Sequence, residues 1–463
     1  MPIGGVSSGL DTYSLIQDIM KVERMPIERM ELRQKIINKQ KEIYSDVQGR
    51  IRNLEGRAAA LSHRANFDVF KTAYSQPSVV SFSTASNAQS GSYSVAVNHI
   101  ARAHTIGSDR QDDIHQALGL AEGTISINGA QVSINGDDSL ASIRDKINST
   151  EDTGITATIV DHVLRLQMDQ TGASQIDIQD GEGIAESLGL LDGESIKHEF
   201  VAASDASFFI DGQHISSSVN SISGLIDGVT VNLLGEGESQ ATISRDVDAV
   251  VGHIKNFVNQ YNSTVNFLYD QVTERKIIPP RSDADRLVGT LSGDGTLSRI
   301  RFRLSGLVSG PVADVQTFSS LAAVGINRAA FGGTQSDNRG TIVGTLEIDE
   351  AALRDALDHD FEQVKDLFTK NRDVEGLPEA DYGIAVRMGN YLRTVTSTSD
   401  GVIRHKNSSF DAEIRILDRQ IESMENRLQL REASITKQFI GMERALETMD
   451  AQMAWLQSYM NIL

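Results

Sequence analysis

Histidines are the side chains best suited to bind a metal or to move a proton near neutral pH, and this sequence has ten of them. A metal pair on a helix needs two ligands three or four residues apart, and no two histidines here have that spacing. The phosphate-binding pattern GxxxxGK[ST] is absent as well. We therefore read each histidine as a surface or core residue.

Cysteine is absent from the 463 residues, which excludes disulfides, thiolate zinc sites and cysteine nucleophiles. The 63 carboxylates are too many for one pair to stand out as acid and base. Gly293-Asp294-Gly295 and Gly181-Glu182-Gly183 are typical of turns, with a calcium or phosphate site as the alternative. We predict no catalytic residue, no cofactor and no metal, so the chain is not expected to be an enzyme.

The charge is strongly acidic and unevenly distributed. The formal net charge is −20, and residues 101–200 alone hold 6 Lys and Arg against 18 Asp and Glu. Nucleic acids and anionic membranes require clustered positive charge, so neither is an expected partner. The first residues contain no basic cluster followed by an apolar run, so no cleaved signal peptide is expected.

The N-terminal region has the apolar spacing of a helix that pairs with another helix. Met30, Ile37, Tyr44 and Ile51 recur every seven residues, with charged and amide side chains between them. Ser7 or Ser8 and Asp11 can cap a first helix, and Pro26 fits the first turn of a second one.

A longer helix is predicted from about residue 405 to the end of the chain. Its apolar positions have a three-four spacing that Arg431 interrupts, and beyond Phe439 the stripe changes phase. These positions are Ile414, Leu417, Ile421, Met424, Leu428 and Ile435, followed by Met442, Leu446, Met449, Met453, Leu456 and Met460.

Between these helices the apolar period changes to two, which is typical of strands. Asn128-Gly129, Asn135-Gly136 and Asp211-Gly212 are typical turn pairs, and a short helix is predicted after Asp137 and Asp138. The predicted strands are 79–82, 92–97, 124–127, 132–134, 156–160, 164–168, 208–210 and 229–234. Helical spacing returns after residue 248, with apolar side chains at Val251, Ile254, Val258, Tyr261, Val265 and Leu268. Two terminal helices that pair would form a stalk carrying a β-rich head, an architecture that favours a role in assembly.

Several segments, taken in order, resemble the bacterial flagellar filament-capping protein family, also called hook-associated protein 2. They are Gly9-Leu10-Asp11 with Glu23-Arg24-Met25-Pro26, GSYSVAVNHIARAH (91–104), the run from FFIDGQHI to VNLL (208–234), FVNQYN (257–262), LSGDGTL (291–297), LAAVGI (321–326), GTLEIDEAALRDAL (344–357) and KQFIGMERALETM (437–449). The unit around 124–148 resembles a small motif that flagellin-type proteins also carry. The resemblance covers nearly the whole chain.

This resemblance implies an α+β multidomain fold with a long coiled-coil leg from both termini, a helix-rich base and β-rich heads inserted between them. The expected parts are an N-terminal leg (1–70), a head domain (71–107 and 203–247), an inserted head domain (108–202), a base (248–404) and a C-terminal leg (405–463).

The resemblance also implies function and partners. A homo-oligomeric plate, most often a pentamer, would lie at the distal tip of the flagellar filament, promote flagellin insertion and prevent flagellin loss. The expected partners are the chain itself, flagellin, the hook-filament junction proteins and a cytoplasmic export chaperone. The expected location is extracellular, reached by type III export without a cleaved signal. The alternative is a cell-surface adhesin whose head binds host glycans or proteins.

We expect the apolar positions of the two legs to contact other copies or flagellin, or to pack on each other, because a long helix cannot cover its own apolar stripe. The expected contact residues are Leu10, Leu15, Ile19, Met30, Ile37, Tyr44, Ile51, Ile421, Met424, Leu428, Ile435, Met442, Leu446, Met449, Met453 and Leu456.

Overall fold

The computed structural model describes residues 11–329, 344–371 and 378–460, which form two compact units. The first unit combines Met1–Phe67 with Val247–Leu463, so both ends of the chain build it, and the second is Asp68–Asp246. The first unit is mainly helical and the second mainly sheet. This confirms the predicted α+β class with terminal helices and a β-rich middle. The finer division into five parts stays a prediction.

The described helices comprise two very long terminal ones and several shorter ones between them. In chain order they are α1 (Thr12–Ser62), α2 (Leu140–Ser149), α3 (Ile184–Ser187), α4 (Val247–Thr273), α5 (Asp283–Leu287), α6 (Gly295–Ser309), α7 (Glu350–His359), α8 (Phe361–Thr369), α9 (Ile384–Thr396) and α10 (Val402–Met460).

Asp11, one of the predicted caps, lies at the start of α1, and its carboxylate accepts a hydrogen bond from the backbone N–H of Ser14 at 3.0 Å. Ser7 and Ser8 lie outside the described residues. The predicted helix start at Pro26 is wrong, because α1 runs through this residue without interruption over 51 residues. Proline inside a helix removes one backbone hydrogen bond and crowds the preceding turn. The next residue, Ile27, is buried, and this tertiary packing offsets the local cost.

Helices α1, α4, α9 and α10 pack together around the core of the first unit. The predicted apolar face of α4 is buried in that core: Val251, Ile254, Val258, Tyr261, Val265 and Leu268. Helix α1 contributes a continuous buried stripe over its C-terminal half: Ile37, Ile43, Tyr44, Val47, Ile51, Leu54, Ala58 and Leu61. Burial of these aliphatic side chains supplies the main driving force for the unit.

All eight predicted strand segments are confirmed, with boundaries that differ by at most two residues. The strands of the described residues also include eleven that were not predicted. In chain order the strands are β1 (Phe70–Tyr74), β2 (Val80–Thr84), β3 (Gly91–His99), β4 (Thr105–Gly107), β5 (Gly123–Ile127), β6 (Ala130–Ile134), β7 (Ile155–Val160), β8 (Val163–Met168), β9 (Ile178–Asp180), β10 (Leu191–Asp192), β11 (Ser195–Ile196), β12 (His198–Val201), β13 (Ala206–Ile210), β14 (Gln213–Ser217), β15 (Ser221–Ile226), β16 (Val229–Leu233), β17 (Gly237–Arg245), β18 (Ile326–Arg328) and β19 (Leu346–Ile348).

The second unit is built from antiparallel sheets over two separate hydrophobic clusters. One cluster lies under the sheets β1-β17-β3-β13-β14 and β15-β16-β2, and includes Val95, Phe208 and Val231. The other lies under β12-β4-β8-β7 and β6-β5-β9 with α2, and includes Leu164 and Ile143. The short strands alternate between buried and exposed side chains, as the period of two predicts.

The hairpin turns follow the predicted chemistry. Asn128 and Gly129 have φ angles of 51° and 90° and join β5 to β6, and Asp211 and Gly212 do the same for β13 and β14. Positive φ at both turn residues matches the twist of the paired strands. A third turn, between β7 and β8, uses Asp161 and His162 with φ values of 50° and 64°. This turn contains no glycine, and turn-residue chemistry did not predict it.

Candidate interaction surfaces of the terminal helices

Helices α1 and α10 pack against each other in antiparallel orientation. Arg33 pairs with Glu413 at 2.8 Å, Lys41 pairs with Asp411, and Glu23, nearer the start of α1, pairs with Arg431 at 3.6 Å. Partner numbers thus rise along α10 as they fall along α1. Arg431, which interrupts the apolar spacing of α10, meets an acidic partner on α1. The pairing alternative in our prediction is therefore realised within the chain.

The base of this helix pair is fixed by a polar cluster around Asp294. The Tyr44 hydroxyl donates a hydrogen bond to the Asp294 carboxylate at 2.8 Å, and Lys406 of α10 lies 3.6 Å from the same carboxylate. Asp294 also caps α6 by accepting from the backbone N–H groups of Thr296 and Leu297. One side chain therefore ties α1, α6 and α10 together.

Tyr44 and Phe410 complete the cluster on its apolar side. Their rings contact edge to face with centroids 5.6 Å apart, and the Lys406 ammonium lies 5.3 Å from the Phe410 ring. Burial and the hydrogen bond to Asp294 raise the pKa of the Tyr44 hydroxyl well above its usual range. The hydroxyl stays protonated and remains a donor at any physiological pH.

The expected contact residues divide into three groups along the helices. Ile37, Tyr44 and Ile51 are fully buried in the core of the first unit, so their contacts are made within the chain. Ile435 is also buried. The second group is half-buried: Met30 on α1 and Ile421, Met424 and Leu428 on α10.

A groove opens between α1 and α10 where Pro26 lies. It has a volume of about 480 Å³, and its lining includes Ile27, Met424 and Leu428. Its rim carries the charged residues Glu23, Arg427 and Arg431. Packing of the two helices is thus looser here than at Tyr44.

Beyond this groove the apolar stripe becomes exposed. Leu15 and Ile19 are exposed on α1, and Leu446 is half-buried on α10. Met449, Met453 and Leu456 are 61%, 65% and 53% exposed, and Met442 is exposed as well. Leu10, the first expected contact residue, lies outside the described residues.

The structure adds exposed apolar residues that heptad spacing missed, because they lie beside the stripe and not on it. They are Tyr13, Val22 and Met25 on α1 and Trp455 on α10. Isolated exposed apolar side chains are common, but this set lies on the same two helix ends as the exposed stripe. Together with Leu15, Ile19, Met442, Met449, Met453 and Leu456 they form what we call the leg-end surface.

The described residues contain no group of three or more His, Asp or Glu side chains that could hold a metal ion. Among the helices of residues 11–329, 344–371 and 378–460, none has a window apolar and long enough to cross a bilayer.

Comparison with known proteins gives one consistent family. The family model described as flagellar hook-associated protein 2 C-terminus matches residues 203–451, and the corresponding N-terminus model matches residues 8–104. The flagellin hook IN motif matches residues 123–172, the β-rich stretch around α2.

Individual relatives agree with these matches. The chain is 25% identical to flagellar hook-associated protein 2 of Thermotoga maritima over 80% of its own length, and it spans 60% of that protein. It is 26% identical to the A-type flagellar hook-associated protein 2 of Pseudomonas aeruginosa, covering 96% of this chain and 94% of the relative. A crystal structure of the D1-D2-D3 domains of the flagellar cap protein FliD from Escherichia coli has the same fold, with a TM-score of 0.62 at 24% identity over 80% of this chain and 99% of that one.

Proposed function

Because the chain belongs to the flagellar hook-associated protein 2 family, we propose that it caps the distal tip of a flagellar filament. In this proposal several copies, most often five, form a plate whose helical legs reach toward the filament. The plate promotes flagellin insertion and prevents flagellin loss. The proposed location is extracellular, on the flagellum, and the chain contributes binding surfaces and no catalytic step.

The leg-end surface is the observation that carries this proposal. The two helices are tied to the core of the first unit at Tyr44 and Asp294, yet their far ends leave Met449, Met453 and Leu456 exposed. Burial of such exposed apolar surface by a partner is favourable and stabilises the complex. Flagellin and neighbouring copies of the chain are the proposed partners there.

Methionine suits a contact that must form and release repeatedly. Its unbranched thioether side chain has several rotatable bonds and adapts to surfaces of different shape. A cap has to exchange contacts each time a subunit is added below it. Three methionines in the exposed part of α10, Met442, Met449 and Met453, support this use of the surface.

Before assembly the same surface needs protection from nonspecific association. We propose that a cytoplasmic export chaperone covers the end of α10 until export. After export, flagellin, other copies and the hook-filament junction proteins would take its place. The adhesin alternative, with host glycans or proteins bound by the β-rich unit, stays a prediction that binding of the full chain to a glycan array would test.

The capping proposal is tested by a triple substitution, Met449→Ser with Met453→Ser and Leu456→Ser, in cells that lack the native copy. These residues are exposed, so the fold should be retained. We expect swimming to be lost and flagellin released into the medium to rise at least tenfold. The matched control replaces three exposed polar residues on the same turns, Glu447, Asp450 and Gln457, by serine. Normal swimming by the first variant, with no extra flagellin in the medium, would contradict the proposal.

A further inference from the structure

Helix α6 presents a face to solvent that the leg-end surface does not include. Arg299, Phe302, Arg303 and Gly306 recur at intervals of three, one and three residues and are all exposed. The opposite face of α6 is buried in the core of the first unit: Leu297, Ile300, Leu304, Leu307 and Val308. Phe302 is 65% exposed, an unusual place for a phenylalanine in a helix whose other large apolar side chains are buried. We call these four residues the α6 face.

Arginine and aromatic side chains are interleaved on and beside the α6 face. The Arg301 guanidinium lies 4.5 Å from the centre of the Phe302 ring and 5.5 Å from that of Tyr269. Arg303 lies 5.8 Å from the centre of the Tyr391 ring on α9. Such stacking holds the guanidinium planes and rings in defined positions. Arginine and aromatic residues are also the types enriched at the centres of protein interfaces.

Positive charge is concentrated on and beside the α6 face. Arg299, Arg301 and Arg303 lie within two turns, and Arg328 of β18 reaches the same helix by donating to the Ser305 hydroxyl at 2.8 Å. Arg303 pairs with Glu379 and remains 45% exposed. This local concentration of arginine contrasts with the net charge of the whole chain, which is −20.

The acidic charge of the chain lies mainly in the second unit. Residues 68–246 contain 8 Lys and Arg against 25 Asp and Glu, whereas the first unit is nearly balanced. Opposite charges of this kind steer association and fix the orientation of the partners. A copy of this chain therefore offers the chemistry that the α6 face would recognise.

We propose that the α6 face of one copy binds the acidic second unit of another copy in the assembled plate. Phe302 supplies the apolar centre of this contact, and the arginines around it pair with carboxylates of the partner. The inference rests on the proposed self-assembly and assigns one surface and one partner to it.

The first test is the double substitution Arg299→Glu with Phe302→Ala in the full chain. Both side chains are exposed, and glutamate and alanine are good helix formers, so folding should be unaffected. We expect the Kd for self-association, measured by mass photometry over a range of concentrations, to rise at least tenfold. The wild-type Kd should rise with salt and that of the variant should change less. The matched control is Arg57→Glu, an exposed arginine of α1, which should leave the Kd unchanged.

The second test locates the partner surface by cross-linking. The chain has no cysteine, so Gly306→Cys supplies a single attachment point for a photoreactive benzophenone. A Cβ at Gly306 meets no other atom within 4 Å, so the substitution is tolerated. In a mixture of isotope-labelled and unlabelled chains, we expect the benzophenone of the Gly306→Cys variant to form cross-links between chains to peptides within 68–246. The control is Asn53→Cys, on an exposed position of α1, which should not give these cross-links.

Two outcomes separate this inference from the capping proposal. If wild-type protein assembles and the Arg299→Glu, Phe302→Ala variant assembles with the same Kd, the α6 face is not the contact and capping stands. The same follows if the links between chains fall only on the helical unit. If wild-type protein forms no oligomer at all, in solution or on filaments, self-assembly itself is contradicted.

Discussion

Single polar residues fix the ends of local elements in the second unit, and Asp138 shows how. It is 6% exposed, lies just before α2, and accepts hydrogen bonds from the Asn135 backbone N–H at 2.7 Å and the Ser142 hydroxyl at 2.9 Å. Lys146 pairs with the same carboxylate. Burial raises the pKa of Asp138, but these donors outweigh burial and hold the pKa below its usual value.

Because the pKa of Asp138 is lowered by folding, the stability of the second unit decreases at acidic pH. The ionised Asp138 stabilises the fold at pH values above the unfolded pKa of about 3.9, and this contribution is lost as the pH falls through the lower folded pKa. We expect Asp138→Asn to lower the free energy of unfolding at pH 7 by about 1–3 kcal/mol. The difference from wild type should shrink as the pH falls from about 5 to 2. Chemical denaturation at each pH measures this.

The control for that measurement is Asp137→Asn at the neighbouring, exposed position. It changes the net charge equally but removes none of the buried hydrogen bonds. An Asp138→Asn protein as stable as the Asp137→Asn protein at pH 7 would show that the buried donors contribute nothing net.

At the scale of elements, the pairing of α1 with α10 depends on contacts that α6 supplies. Asp294 caps α6 and also accepts a hydrogen bond from the Tyr44 hydroxyl of α1. The Lys406 ammonium of α10 lies beside the same carboxylate. Gly293 before it has a φ of 74°, a conformation that glycine adopts without strain. This explains why a short glycine-rich turn, LSGDGTL, carries structural information: its aspartate is a tertiary contact as well as a helix cap.

Asp294→Ala should therefore be more costly than the loss of an ordinary helix cap. Loss of the cap lowers the free energy of unfolding by about 1 kcal/mol. The Tyr44 hydroxyl, buried without its acceptor, lowers it by about 1–3 kcal/mol more. We expect a loss of about 2–4 kcal/mol in the free energy of unfolding, measured by denaturant titration. Asp349→Ala is the matched control, because Asp349 is an exposed aspartate that caps α7 in the same way. Equal losses in the two variants would mean that the tertiary contacts of Asp294 are not stabilising.

At the scale of the whole molecule, the chain forms two units with separate hydrophobic cores. The core of the first unit includes residues from both terminal regions, and the two clusters of the second unit lie within 68–246. Units with their own cores usually unfold as separate cooperative transitions. The long terminal helices therefore depend on the first core for their stability, independently of the β-rich unit.

Matched core substitutions in the full chain test this independence. Leu304→Ala removes a fully buried leucine from the core of the first unit, and Leu166→Ala removes one from the cluster of the second unit that includes Leu164. Each substitution should cost about 2–5 kcal/mol. We expect calorimetry to show two transitions, with each substitution lowering the midpoint of one and leaving the other in place. A single transition that both substitutions shift equally would show that the two units unfold together.

The sequence alone predicted the long terminal helices and eight of the nineteen strands in the described part of the chain, because the signals of these elements are local. Seven-residue spacing predicted the terminal helices, alternation predicted the strands, and Asn128-Gly129 and Asp211-Gly212 predicted hairpin turns from backbone preferences. The same spacing selected the apolar positions of the legs, since helix periodicity places them on one side regardless of what covers them.

Only the tertiary structure decided which of those positions remain available to a partner. Ile37 and Ile51 have the same spacing as Met30, yet the core of the first unit buries them, while Met449 and Met453 stay exposed beyond it. Tyr44 and Asp294 are 250 residues apart, and nothing near either residue indicates their hydrogen bond. Periodicity tells which side of a helix is apolar, but burial depends on elements that the fold brings from distant parts of the chain.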